Sequence, residues 1–257
     1  MTTVKNALYA LGLPAALVTL WWGLTIDSTS FYVPKPGQLA VTLWNEWVGE
    51  RFLTDFLPSV GRLTAGLVAT ILLGILLGAL IGSVRWLRTL TEPLLEFLRA
   101  IPPPVLVPLL MLLIGINNQM KVVVIISGAI WPVLLNTVEG VRAIDTVLTN
   151  TCRSYRIGGL ARWKYLVLPS ASPQMMTGIR QSLSIGLILM VISEMFGSSS
   201  GLGFTIVLFQ RAFAIPEMWS GIVVLGLIGI VLSVIFQVAE RRVLHWYHGL
   251  RKAQRDA

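Results

Sequence analysis

Residues 140–172 read GVRAIDTVLTNTCRSYRIGGLARWKYLVLPSAS, a basic and largely polar stretch between two strongly apolar parts of the chain. The apolar runs on both sides are long enough to cross a bilayer. A loop of this length, with helix-forming segments and a Leu168-Pro169 step near its end, exceeds what a simple connection between two helices needs. The sequence therefore predicts a membrane protein whose central loop, residues 140–172, docks a partner protein.

The composition is typical of a membrane protein. Of the 257 residues, 55% are hydrophobic and 12% are charged, whereas a soluble domain has about 25% charged residues. The mean hydropathy is +0.77, so we predict a polytopic protein surrounded by membrane lipid. The net charge of +8 fits a positive-inside distribution better than a nucleic-acid-binding surface. The single cysteine, Cys152, excludes an internal disulfide.

Six apolar windows have close to the roughly 20 residues that cross about 30 Å of hydrocarbon. They are residues 7–26, 60–83, 93–115, 120–139, 175–197 and 218–240. With the N-terminus inside, the predicted cytosolic segments carry thirteen Lys and Arg residues, and the outer segments carry three to five. The sequence therefore predicts an all-α membrane protein with six transmembrane helices and both termini in the cytosol.

These spans divide the chain into three predicted regions. Residues 1–58 contain a first transmembrane helix, too long for the apolar core of a signal peptide, and an outer amphipathic segment. Residues 59–240 form a five-helix core that includes the loop 140–172. Residues 241–257 form a basic cytosolic tail.

The second and third spans have features that predict how the core packs. Small residues recur every four positions in the second span, which favours close helix packing: Gly74, Gly78 and Gly82. Four prolines occur in the run 101–108 of the third span, and each removes a backbone hydrogen-bond donor. We expect a broken helix, with Pro103 and Pro104 beside a translocation path. The alternative is a kinked helix that serves packing alone.

Glu194 is the one acidic residue well inside a predicted span. A charge at that depth costs roughly 2.5 kcal/mol or more unless it is paired or hydrated, so we expect a cavity or a partner such as Arg180 or Arg211. Two serines, Ser193 and Ser198, give it a polar setting. Two interpretations stay open, a role in the path or its gating and a structural ion pair. Residues 198–203 predict a tight turn whose amides could hold an anion, or a plain loop.

Motifs for nucleotide hydrolysis or for hydrolase chemistry are absent from the sequence. No Gly-Lys dipeptide occurs, so there is no phosphate-binding loop of the Gly-x-x-x-x-Gly-Lys-Ser/Thr kind. Neither a Gly-x-Ser-x-Gly elbow nor a His-Glu-x-x-His helix occurs. We therefore predict a transporter subunit rather than an enzyme, with no catalytic residues and no metal site.

Several motifs, each weak alone, together resemble the permease subunits of bacterial ABC importers, in the nitrate/sulfonate/taurine branch. They are FYVPKP at 31–36, PLLEFLRAIPP at 93–103, LNTVEGVRAID at 135–145, RSY at 153–155, LP at 168–169 and SEMFGSSSGLGF at 193–204. The resemblance covers nearly the whole chain. It implies a type I importer permease fold with a cytosolic coupling helix.

The family's coupling signature is Glu-Ala-Ala, a glycine four residues later, and a downstream Leu-Pro. Counted back from Leu168-Pro169, this chain has Asn150, Thr151 and Cys152, and then Arg156 in place of the glycine. Gly158 and Gly159 are candidates to take over the turn. The resemblance thus implies an ATPase-coupling set of Asn150, Thr151, Cys152, Arg153, Ser154, Tyr155, Arg156, Leu168 and Pro169.

The resemblance also implies the partners. It predicts a second permease subunit, as a homodimer or as the heterodimer that the degenerate signature favours, two cytosolic ATPase subunits that bind ATP and Mg, and an extracytoplasmic solute-binding protein. This chain itself would hold no cofactor. The solute would be a sulfonate, taurine, nitrate or a similar small organic molecule, carried across a bacterial plasma (inner) membrane. The alternative is a secondary transporter driven by an ion gradient, which usually has inverted repeats and more buried ionisable residues.

Overall fold

The computed structural model describes residues 2–28, 30–247 and 249, with side chains from residue 12 onward. The regular structure of this part is helical, which confirms the all-α prediction. The α-helices are α1 (Thr2–Thr25), α2 (Pro36–Trp47), α3 (Leu57–Ser83), α4 (Arg85–Ala100), α5 (Pro103–Ile114), α6 (Asn118–Arg142), α7 (Thr146–Ser154), α8 (Gly159–Arg162), α9 (Leu168–Met195), α10 (Leu202–Arg211) and α11 (Ile215–Val243). Two π-helical turns, Phe52–Phe56 and Trp163–Val167, lead directly into α3 and α9. Most of the predicted tail 241–257 lies outside the described residues.

Within the described residues, four helical stretches are long and apolar enough to cross a membrane. They are Phe52–Ser83, Asn118–Arg142, Gly159–Met195 and Ile215–Val243. The pair α4 and α5 makes a fifth only when both helices count as one span. The part of α1 with described side chains, Gly12–Thr25, is shorter than a span. The number of six spans and the N-in orientation therefore stay predictions.

The predicted third span, residues 93–115, is broken, as expected, into two helices at an angle of 92°. Of the four prolines, three mark the start of the second helix, and Pro108 lies inside it. Pro102 is the N-cap of α5 and Pro103 its first residue, where a proline loses no helical hydrogen bond. With 12 residues, α5 is only about 18 Å long. α4 is strongly amphipathic and has no buried residue, which is typical of a helix in the membrane interface.

The chain forms two compact units, Met1–Pro58 with Ser199–Leu227, and Ser59–Ser198 with Ile228–Ala257. In the second unit, the glycines of α3 lie directly against α6. A Cβ on Gly78 would be 2.6 Å from the Leu134 carbonyl oxygen, and one on Gly74 would be 2.8 Å from Val133. Since real side chains do not approach so closely, the predicted close packing along this glycine face is confirmed.

In the first unit, two tryptophan side chains donate hydrogen bonds between segments that are distant in the sequence. The indole Nε1 of Trp47 donates a hydrogen bond of 2.9 Å to the Ser220 hydroxyl, and that of Trp219 donates one of 3.0 Å to the Tyr32 carbonyl. The Trp47 indole is buried, and a buried N–H group needs such a partner. These bonds tie the predicted outer segment to α11.

The orientation can be tested with single cysteines after Cys152 is replaced by serine. We expect cysteines at the exposed positions Lys35 and Gln210 to react with a membrane-impermeant maleimide in intact cells, because both belong to predicted outer segments. A cysteine at Arg85 should react only after the cells are opened, which controls for reactivity. Labelling at Arg85 from outside in intact cells would contradict the N-in topology.

Candidate functional site

The predicted docking loop contains a short exposed helix, α7. The Asp145 carboxylate caps it by accepting a 2.6 Å hydrogen bond from the Val147 amide. No residue of α7 is buried. Of the predicted coupling residues 150–156, six are exposed, and Cys152 is half-buried. The structure therefore brings this part of the predicted set together on one exposed helix and its C-terminal turn.

The C-terminal turn of α7 has Arg156 in the left-handed conformation, with φ 53°. The amides of Arg156 and Ile157 donate to the carbonyls of Arg153 and Cys152, at 3.0 and 2.8 Å. These two bonds make a Schellman motif, whose left-handed position is usually glycine. The backbone therefore makes the turn at Arg156 itself, where the family has its glycine. Gly159, with φ 55°, is a second left-handed residue and begins α8.

The Leu168-Pro169 step begins a helix rather than ending a loop. Both residues lie in the first turn of α9, where the missing amide of proline is harmless. Just before them, Val167 is buried in a cluster with Ala79 of α3 and Val141 of α6. The loop between α6 and α9 is thus anchored to the core at its C-terminal end.

Glu194 is fully buried near the C-terminus of α9. Its carboxylate forms an ion pair with Arg62 of α3, at 2.6 Å. It also accepts the Ser59 hydroxyl, at 2.7 and 2.9 Å from its two oxygens. The Nε of Arg62 in turn donates to the Asn118 side chain at 2.8 Å. A buried charge held this way satisfies the requirement for pairing.

The expected partners of Glu194, Arg180 or Arg211, were wrong. Arg180 instead forms an ion pair with Glu240 of α11. The partner that the structure gives, Arg62, was not among the expected ones. A usable signal was present, because Ser59 and Arg62 are three residues apart and so share one face of α3.

The two serines near Glu194 have defined contacts. The buried Ser193 hydroxyl donates to the Met190 carbonyl of its own helix at 2.8 Å. The Ser198 hydroxyl accepts a 2.6 Å hydrogen bond from the buried Lys121 ammonium. Polar groups from α3, α6 and α9 therefore meet at one end of this unit.

The predicted anion-binding turn 198–203 is served by a carboxylate of the chain itself. The Gly201 amide, at the N-cap of α10, donates to the Asp55 carboxylate at 2.8 Å. Gly201 has φ 117°, which other residues rarely adopt. The Asp55 carboxylate therefore takes the place of an external anion at the N-terminus of α10.

A groove of about 770 Å³ opens where α4 meets α5. Its walls include Pro103 of the proline run, together with Arg99, Trp131, Asn136 and Gln181. Arg99 is paired with Glu96 at 2.6 Å. Pro104 is exposed. Apolar rings, two amides and a compensated charge therefore share one groove.

The groove continues into a polar stripe on α9. The exposed residues on this stripe follow the three- and four-residue spacing of one helical face: Gln174, Thr177, Gln181 and Ser184. Gln181 is 13 residues from the start of α9, so it lies about 20 Å along a helix that spans the membrane. Polar groups at this depth face protein or a water-filled cavity rather than lipid.

Comparison with known proteins identifies the family. Residues 70–245, more than half of the chain, match the model for the binding-protein-dependent transport system inner membrane component. Family members are transport-system subunits, not enzymes.

Three relatives align over nearly the whole chain. The taurine transport system permease protein TauC of Escherichia coli is 26% identical, covering 95% of this chain and 91% of the relative. The riboflavin transport system permease protein RibX of Chloroflexus aurantiacus is 31% identical, covering 92% and 90%. A Bacillus subtilis protein named for aliphatic sulfonates transport, SsuC, is 28% identical, covering 91% and 86%.

The relatives lend no support to the alternative of a secondary transporter. The family description implies an ATPase partner and a solute-binding protein, and its inner-membrane placement agrees with the apolar helices. The chain belongs to the family of binding-protein-dependent transport system inner membrane components and is a multi-pass permease subunit of an ABC importer.

Proposed function

We propose that this chain pairs with a second permease subunit, identical or not, to form the path for a small organic sulfonate. An extracytoplasmic binding protein delivers the solute, and two cytosolic ATPase subunits bind ATP and Mg. ATP-driven closure of the ATPase pair moves α7, and α7 moves the membrane helices.

The observation that carries this proposal is the exposed helix α7. Val147 and Tyr155 expose 68% and 77% of their surface, although both are apolar or aromatic. Arg153, in the last turn, is exposed as well. Exposed aromatic, apolar and arginine side chains in one patch are typical of a protein interface. The anchoring of the same loop through Val167 makes it suited to transmit force.

The path is best supported at the groove between α4 and α5. We assign Pro103, Pro104 and Gln181 to it. Pro108, inside α5, has no amide to donate to the Pro104 carbonyl four residues earlier. The Gln181 amide can hydrogen-bond a passing solute without holding it tightly. Glu194 is enclosed in its ion pair with Arg62. We therefore assign Glu194, with Ser193 and Ser198, to the framework that holds the path.

The chemistry of the groove supports a solute with an apolar body and a polar or anionic head. Trp131, Leu135 and Ile185 offer apolar contact. The Gln181 amide offers donors, and the Asn136 amide offers its second N–H, because the first donates to the Pro132 carbonyl. The names of TauC and SsuC favour a sulfonate. A heterocycle is the second candidate, favoured by the name of RibX and by the Trp131 ring.

The test is uptake into liposomes that contain this chain, its partner permease if there is one, the ATPase and the binding protein. We expect ATP to raise accumulation of a labelled sulfonate at least tenfold, within a panel of taurine, an alkanesulfonate, nitrate and riboflavin. Uptake that follows a proton or sodium gradient without ATP would contradict the proposal. Accumulation of riboflavin alone would favour the second candidate.

Variants in the same assay examine the path. Gln181→Leu should change the apparent KM of uptake, while leaving assembly intact because the side chain is exposed. Val231→Leu, at a similar depth on the exposed face of α11, is the matched control and should transport normally.

A further inference from the structure

A polar pocket of about 400 Å³ lies where α3 and α6 end. Three arginines from three helices line it, Arg88 of α4, Arg142 of α6 and Arg162 of α8. Within the described residues, only Arg142 has a charged partner, Glu139, at 2.6 Å. Within the described residues, no acidic side chain lines the pocket. The pocket therefore carries an excess of positive charge.

The Arg162 side chain has a buried hydrogen-bond donor that a ligand could satisfy. Its Nε is buried and has no hydrogen-bond partner within the described part of the chain. A buried donor left unsatisfied is costly, and arginine N–H groups match the oxygens of phosphate. Ser83 and Thr149 add hydroxyl groups to the same wall. The lining thus fits a group with several anionic oxygens.

The position of the pocket indicates where that group comes from. Ser83 and Arg142 are the last residues of two candidate membrane spans, so the pocket lies at the boundary of the hydrocarbon. Beside it, the amphipathic α4 exposes Trp86 and Leu90, each to 67%. Tryptophan is enriched at the level of lipid headgroups, and basic pockets between spans bind anionic headgroups.

We infer that this pocket binds the phosphate of an anionic phospholipid of the phosphatidylglycerol type, with its acyl chains along Trp86 and Leu90. A carboxylate of a partner protein fits less well. Thr149, which lines the pocket, is half-buried, whereas the docking residues Asn150 and Arg153 of the same helix are exposed. The lipid fixes the junction of α4, α6 and α8, and its binding does not depend on the transported solute.

The test is native mass spectrometry of the purified full-length chain, titrated with phosphatidylglycerol or with phosphatidylcholine of the same acyl chains. We expect one phosphatidylglycerol to bind per chain with clear preference over phosphatidylcholine. The double variant Arg88→Gln/Arg162→Gln should weaken this binding about 30-fold, because each arginine contributes roughly 1 kcal/mol to the binding of an anionic lipid. The variant Arg85→Gln/Arg241→Gln, which loses the same charge outside the pocket, is the matched control and should bind normally.

Three further readouts separate the outcomes. Circular dichroism and size-exclusion chromatography verify that the variants fold. Arg162→Lys keeps the positive charge, so it should retain part of the preference for phosphatidylglycerol that the double variant loses. Displacement of the lipid by millimolar inorganic phosphate would identify a free-phosphate site and overturn the lipid assignment. Equal binding of both lipids, or loss of ATPase binding in the double variant without any change in lipid binding, would overturn it as well.

Discussion

Arg62→Met is expected to remove most of the folded permease. The substitution removes the ion-pair partner of the enclosed Glu194 carboxylate, and breaking a buried pair by removing one partner costs about 3–5 kcal/mol. The two groups are 6% and 0% exposed, so water cannot replace the lost contact. The amount of monodisperse protein by fluorescence-detected size-exclusion chromatography, and its thermal unfolding in detergent, measure the effect.

Two companion variants decide what the pair does. Arg62→Met/Glu194→Leu removes both charges and should recover much of the folded protein, because apolar replacements of a buried pair are often neutral. Glu194→Gln keeps the shape and removes the charge, so it should lower the amount of assembled complex while uptake per complex stays normal. Normal assembly with reduced uptake per complex would instead make Glu194 part of the path or its gate.

The sequence could predict that Glu194 has a partner but not which one. The cost of a charge at membrane depth required pairing whatever the fold. The choice of Arg62 depends on how α3 packs against α9, and that register is set by contacts such as Leu67 on Gly186, 2.8 Å from the position of a Cβ. Such long-range packing has no local signal. The spacing of Ser59 and Arg62 becomes informative only once the neighbouring helix is known.

The structure around the proline run, residues 101–108, could be predicted from the sequence only in part. Hydropathy joined residues 93–115 into one window, because a sliding average does not distinguish an amphipathic helix followed by an apolar one from a single span. The prolines correctly predicted a break. Their clustering at residues 102–104 favours the start of a helix over its destruction, and the structure starts α5 there.

The position of the turn after α7 could be predicted from the sequence, but not how the chain makes it. The count back from Leu168-Pro169 predicted Arg156 in the glycine position, and Gly158 or Gly159 as replacements for the turn. The Schellman bonds of α7 instead hold Arg156 in the left-handed conformation. A side chain there costs about 1–2 kcal/mol relative to glycine. The turn is therefore retained by hydrogen bonding despite an unfavourable residue.

The largest functional loss is expected from Arg153→Glu/Arg156→Glu. Both side chains are exposed, so the amount of permease should change little, whereas reversed charge at an interface costs partner binding. ATP-dependent uptake into liposomes should fall at least tenfold, with ATP hydrolysis either uncoupled from uptake or lost with the departing ATPase. Hydrolysis, uptake and the ATPase retained on the purified permease are measured on the same preparations.

Two control variants separate the effect of the reversed charge from the effect of the backbone conformation at Arg156. Arg156→Gly removes one charge and relaxes the left-handed turn, so it should stabilise the loop by about 1 kcal/mol and keep uptake coupled to ATP. Arg241→Glu reverses a charge at the end of α11, where the side chain is exposed, and should leave coupling unchanged. If the double variant transports like the wild type, α7 does not dock the ATPase. If Arg156→Gly alone uncouples transport, the guanidinium itself makes the contact, and the conformation of the turn is secondary.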